Sequence, residues 1–190
     1  MDKQVTIFVE GKSDKEFLEA FINANSFNIK ADIKTNNGNS INQAMINQIK
    51  ESLANDIVVY IIFDADSSFN NTNEAIIKQL ATAGISTNQV KIFLFPNNQQ
   101  SGCLEDLLCE IAIHKKAIDC FDNYKKCLML NDFNTTHISK KSKMYAYREI
   151  MGITTKQIQP SNITNNNIFD FNAKCLESLK DFFNHISKEG

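Results

Sequence analysis

Polar and apolar positions along the chain switch repeatedly between a period of two or less and a period near 3.6. Residues 5–9 form an almost unbroken β-branched and aromatic run, the pattern of a strand covered on both faces. It gives way to Phe17, Leu18, Phe21 and Ile22 at helical spacing. Ser13 and Glu16 there have the spacing of a capping box, and Asp14 adds negative charge to the first turn. Residues 27–35 alternate apolar Phe27, Ile29, Ala31 and Ile33 with polar neighbours, as a strand near a sheet edge does. After Asn36-Asn37-Gly38-Asn39, Ser40 and Gln43 repeat the capping spacing, and Ile41, Met45, Ile49 and Leu53 predict a second helix. All seven residues from 57 to 63 are apolar, which predicts a central parallel strand. A helix over 74–83, closed by Gly84, and a fourth strand over 90–95 follow.

Strand and helix therefore alternate as βαβαβαβ. Right-handed crossovers turn that order into an α/β fold with a mainly parallel, four-stranded sheet and helices on both faces. A polar loop from Pro96 to Gly102 leads to a helix near Leu104, and residues 111–130 read as helical with Ile118, Phe121, Tyr124 and Leu128 as a buried stripe. Residues 154–167 are Asn- and Thr-rich and read as loop. A closing helix over 169–186 docks through Leu176, Leu179, Phe182, Phe183 and Ile186. The expected organisation is one compact unit: an α/β core over 1–110 and a C-terminal helical extension over 111–190.

Composition narrows the class. With 43% hydrophobic and 22% charged residues, the chain has ordinary globular usage. No apolar run reaches the roughly 18 residues of a membrane span, and the start leads straight into a strand, so a cytoplasmic protein without a membrane partner is expected. A net charge of -2 gives no global attraction to nucleic acid, so such binding needs a local basic patch or bridging cations. Five cysteines without a C-x-x-C pair, and histidines without ligand spacing, fit reduced thiols.

The candidate chemistry lies at two strand ends. Glu10 follows the first apolar run, and Asp64 and Asp66 follow the third. Carboxylates at the ends of buried strands repel one another, and a divalent ion would neutralise and join them. For Glu10 to meet the aspartates the first and third strands must be neighbours, which the order 2-1-3-4 provides. If the third strand runs extended through Ser67, Asp64 and Asp66 project the same way. Gly11-Lys12-Ser13 is no phosphate loop, because Thr6 stands where that motif needs glycine. A receiver domain would carry its acidic pair after the first strand, the reverse of what is found.

Glu10-Gly11 with Asp14, followed by Asp64-x-Asp66, resembles the signature of the Toprim superfamily, over about residues 5–108. Pro96, Gly102-x-Leu104-Glu105-Asp106 and Lys143 make it most similar to small stand-alone Toprim-like proteins of unassigned function, and more distantly to the overcoming-lysogenization-defect nucleases. The resemblance implies a Rossmann-like Toprim fold in which Glu10 is a metal ligand and general acid or base, and Asp64 and Asp66 bind Mg2+ or Mn2+. It implies a second metal position completed by Asp14, Glu105 and, as an option, Asp106.

Each of these residues has a plainer reading. Asp14, Glu105 and Asp106 are also first-turn acids, and Asp64 alone is also a turn residue. Lys12, Lys140, Lys141, Lys143 and Arg148 form either a phosphate-gripping patch, with Lys12 and Lys143 as the substrate-binding candidates, or a solvated helix face. Tyr145 and Tyr147 are available for base stacking. The leading expectation is Mg2+-dependent phosphodiester hydrolysis on DNA or RNA, with Glu10, Asp64 and Asp66 as the catalytic set. The alternatives are a non-catalytic nucleotide- or nucleic-acid-binding module in a larger repair or defence assembly, and a metal-dependent nucleotide phosphatase. A protein partner and a homodimer are both compatible with the sequence.

Overall fold

The structure, a computed structural model, describes residues 3–153 and 168–188, with side chains up to residue 184. The loop read at 154–167 lies outside the described residues, as does the side chain of Ile186. No helix in the described part is long and apolar enough to cross a membrane.

Four strands, β1 (Lys3–Val9), β2 (Ile29–Thr35), β3 (Val58–Asp64) and β4 (Val90–Phe95), pair in the order β2-β1-β3-β4. Every pairing is parallel. Three crossover helices link them: α1 (Lys12–Asn25), α2 (Gln43–Ala54) and α3 (Phe69–Thr82). The expected α/β architecture and strand order are thus observed. Side-chain alternation along the strands builds a core on each face. Val5, Ile7 and Val9 of β1, Tyr60 and Ile62 of β3, and Phe93 and Phe95 of β4 pack with α1 on one side. Phe8, Ile61, Phe63 and Leu94 meet α2 and α3 on the other.

Beyond β4 come α4 (Leu104–Ile111), α5 (Lys115–Leu130), α6 (Lys140–Ile150) and, after a short 3-10 turn at Lys174–Leu176, α7 (Glu177–Lys188). These elements complete the α1 face. Phe183 sits among Phe21, Phe27, Tyr60 and Phe182 with ring centroids 5.3 to 6.3 Å apart. Tyr147 of α6 donates its hydroxyl to the Ile168 carbonyl at 2.6 Å, tying the last segment to the bundle.

Several local expectations differ from the structure. α1 begins at Lys12, and the Asp14 carboxylate accepts from the Gly11 amide at 2.8 Å, so Glu16 is released from capping to meet Lys12 and Arg148. Asn42, not Ser40, caps α2. Ser68 caps α3, which starts at Phe69, five residues before the expected start, because polar Asn70, Asn71 and Asn73 hide its first turn from a hydrophobic pattern. The 111–130 stretch breaks at Ala112, which bridges to Phe169. Of its expected stripe only Ile118 is buried, and Tyr124 is 56% exposed. Phe169 and Phe171 are buried in non-helical chain, so the closing helix starts at Glu177.

The aromatic seam supplies a stability test. Phe183→Ala should cost about 3–5 kcal/mol of unfolding free energy in urea denaturation, whereas Leu130→Ala, at a residue 84% exposed, should stay within about 0.5 kcal/mol. Equal effects would refute the docking of α7.

Candidate functional site

β1 and β3 lie side by side, but their crossovers leave in opposite directions, so their carboxyl ends open a crevice at the switch point of the sheet. Glu10 leaves the end of β1 and Asp64 is the last residue of β3. The Asp64 amide donates to Glu10 Oε1 at 2.9 Å, joining residues 54 apart in sequence. Asp64 Oδ1 in turn accepts from the Leu104 amide at 2.8 Å, which attaches the first turn of α4 to β3. That turn carries Glu105, only 5% exposed.

Glu10, Asp14, Asp64 and Glu105 line one cavity of ≈ 290 Å³, together with Lys12 and Lys141. A second cavity of ≈ 670 Å³ shares Glu10, Asp64, Glu105 and Lys141 and adds Asp66, Cys103 and Lys140. Three acids, Glu10, Asp64 and Glu105, thus line both. None of Glu10, Asp14, Asp64, Asp66 or Glu105 enters an ion pair among the described residues.

The electrostatic consequence is large. Burial pushes the Glu10 carboxyl up to about 7, against the opposing amide of Asp64, and the charges of Asp14 and Asp66 push the same way. Burial, then the Asp14 charge, pushes Asp64 up to about 8. Asp14 is raised as well, first by burial and also by Glu105. Such a cluster is stable with protons or with a cation, and not as four bare carboxylates. Asp64, Cys103 and Glu105 bring one ligand atom each within 4.8 Å of one another, so this trio could hold an ion.

Not every expected ligand converges. β3 ends at Asp64, and Asp66 adopts φ 53°, a left-handed turn, with its carboxylate accepting from Asn39 Nδ2 at 3.0 Å. The extended path that would align it with Asp64 is absent, because the Asp66 carbonyl turns to accept from the Gly102 amide at 2.8 Å. Asp66 reaches the rim of the larger cavity. Asp106 is occupied by the Cys103 amide at 2.9 Å and by Lys140 Nζ at 2.6 Å. Burial works against it, but these partners hold its carboxyl below its usual value. Gly102, at φ 141°, fits beneath this corner because an added Cβ would stand 2.8 Å from Asp106 Oδ2. Lys143 is drawn away to Asp122 at 2.6 Å, and Lys141 faces the acids in its place.

Cys103 is the residue that the sequence reading passed over. It is the N-cap residue of α4, two positions before Glu105, a place that no motif in the sequence marks. Burial pushes its thiol up to about 12.

A family described as "Protein of unknown function (DUF3226)" matches the chain over residues 4–188. No curated protein and no solved structure matches it.

The raised carboxyls set a pH dependence. An acid that holds its proton more tightly when folded stabilises the fold while protonated, and that contribution is lost as pH climbs through the folded value. For Glu10 the window runs from 4.5 to about 7, and for Asp64 from 3.8 to about 8. The thermal midpoint of the metal-free protein should therefore fall between about pH 5 and pH 8.5, and Asp64→Asn should flatten that fall. A midpoint that rises over this range would contradict the buried, unpaired cluster.

Proposed function

We propose that this chain, which belongs to the DUF3226 family, is a Toprim-like, Mg2+- or Mn2+-dependent hydrolase of nucleic-acid phosphodiesters. The observation that carries the reading is the 2.9 Å bond from the Asp64 amide to Glu10, which brings two acids remote in sequence to one sheet edge, neither of them in an ion pair among the described residues. A chain that gathers buried Asp14 and Glu105 with half-buried Glu10 and Asp64, opposed only in part by amide hydrogen bonds, carries a standing cost, and hard oxygen ligands are what magnesium takes. Of the trio Asp64, Cys103 and Glu105, the two carboxylates are the oxygen donors magnesium takes and the thiol is not, while Glu10 and Asp14 line the smaller cavity with Asp64 and Glu105.

When bound, the ion would polarise a phosphoryl oxygen and lower the pKa of a bound water. The rest falls to the side chains. Glu10, held in orientation by the Asp64 amide and titrating near neutrality, is suited to accept a proton from water. Lys141 lines both cavities and offers positive charge to a phosphate passing between them. Tyr145, 48% exposed on the same helix, offers a ring for stacking an unpaired base. Free thiols at all five cysteines suit a reducing compartment, so the proposal places the protein in the cytoplasm.

One observation favours the second reading, a non-catalytic nucleotide- or nucleic-acid-binding module. With Asp66 turned to Asn39 and the optional ligand Asp106 paired to Lys140, a two-metal clamp lacks two of its candidate ligands. Incubating single-stranded and duplex DNA and RNA with Mg2+ or Mn2+ separates the two. The hydrolase reading expects metal-dependent cutting that falls at least about 100-fold in Asp64→Asn. Binding of the same substrates without cutting, by wild type and variant alike, would replace it with the module.

A further inference from the structure

Leu104 opens α4, and the residues on either side of it, Cys103 and Glu105, both line the larger cavity. Two residues apart on a helix, side chains point to different sides, whereas two apart in extended chain they point the same way. Cys103 is the N-cap residue and is extended, at φ -144° and ψ 176°, which lets its side chain share the side of Glu105. The Leu104 amide between them donates to Asp64 Oδ1 at 2.8 Å. One backbone bond thus gathers a thiol and two carboxylates, whose ligand atoms lie within 4.8 Å of one another.

Glu105 supplies a separate observation. It is 5% exposed, yet among the described residues nothing outside this trio hydrogen-bonds or ion-pairs with its carboxylate, which has only the Cys103 thiol. A carboxylate that deep is normally satisfied by amides, hydroxyls or a cation, and a thiol is a weak donor. Asp106 Oδ2, 3.4 Å from the sulfur, is already matched by Lys140 Nζ at 2.6 Å, so a thiolate there meets no uncompensated third acid. Oxygen ligands alone suit magnesium. Sulfur with two oxygens suits a borderline ion that takes mixed ligands in a tetrahedron and keeps a fourth position for water.

We infer that Asp64, Cys103 and Glu105 form a binding site for a thiophilic divalent cation of the Zn2+ class, with Cys103 as its sulfur ligand. The inference rests on the cation-binding reading of these acids above, and goes beyond it by making Zn2+ and Mg2+ rivals for Asp64 and Glu105. As the sulfur–metal bond forms, the Cys103 S–H bond breaks and its proton passes to solvent, one for each ion bound. Burial, with Glu105 and Asp106 beside it, holds that proton in the metal-free chain, and a coordinated cation overrides both.

The test uses the full chain, as wild type and as Cys103→Ser. Co2+ is titrated by absorption, Zn2+ by competition with a chromophoric chelator, and Mn2+ by electron paramagnetic resonance. Serine is itself a favoured N-cap residue, so the variant keeps the start of α4. A sulfur ligand predicts a thiolate-to-Co2+ charge-transfer band in the wild type that is lost in Cys103→Ser, with Zn2+ affinity falling at least about tenfold. Mn2+, which takes oxygen ligands, should change less than about twofold. A Co2+ band that is missing in the wild type or survives in Cys103→Ser, or an unchanged Zn2+ affinity, would overturn the sulfur ligand and leave Mn2+ binding intact. Glu105→Gln, which keeps the thiol, should weaken Zn2+ and Mn2+ alike. Zn2+ binding indifferent to that change would overturn the trio even if Cys103→Ser failed to fold. Absence of Mn2+ binding in the wild type, with Zn2+ still held through sulfur, would instead remove the magnesium reading and keep this site.

Discussion

A single hydrogen bond sets the terms for this molecule. By donating to Glu10, the Asp64 amide ties the end of β1 to the end of β3 and places two half-buried acids side by side. The bond can form because the sheet is parallel and its first and third strands are neighbours, so both chains arrive at the same edge in register, Val9 opposite Ile62. Leu104 extends the arrangement by donating to the other side of Asp64, and Glu105 follows inevitably on the next residue of that helical turn. Three segments that are distant in the chain are joined through carboxylate oxygens accepting from backbone amides.

That design has a cost, and the rest of the site answers it. Amides stabilise the charged form of a carboxylate, while burial and neighbouring acids oppose it, and for Glu10 and Asp64 the second effect prevails. Lys141 opposes the cluster only in part, and three other cations nearby are engaged elsewhere. Lys140 is held by Asp106, Arg148 leans on Glu16, and Lys12 reaches back to the same Glu16 at 3.5 Å. What is left is a cluster of acids with Lys141 beside it, a layout suited to holding a cation and a phosphate next to each other.

Much of this was legible in the sequence. Strand order followed from the demand that Glu10 and Asp64 meet, and unbroken runs such as 57–63 left few alternatives to a buried parallel strand. The losses have local causes. Asp66 was misplaced because a left-handed residue after a strand leaves no trace in hydrophobic periodicity, and the turn is fixed by a backbone bond to Gly102, 36 positions away. Lys143 and Lys141 are two residues apart on one helix, and which of them faces the acids depends on how α6 rotates against α4 and α5. Cys103 and Arg148 carry no motif. Only the fold reveals that one caps the helix bearing Glu105 and that the other is buried with an Nε that has no hydrogen-bond partner among the described residues.

The central claim is that Glu10, Asp64 and Glu105 are gathered to bind a divalent cation. A crystal soaked in Mn2+ near pH 8 and measured at the manganese absorption edge tests it most directly. The account predicts an anomalous peak within roughly 2.0–2.6 Å of carboxylate oxygens from at least two of these residues. An ordered crevice without such a peak, its acids sharing protons with one another, would contradict it.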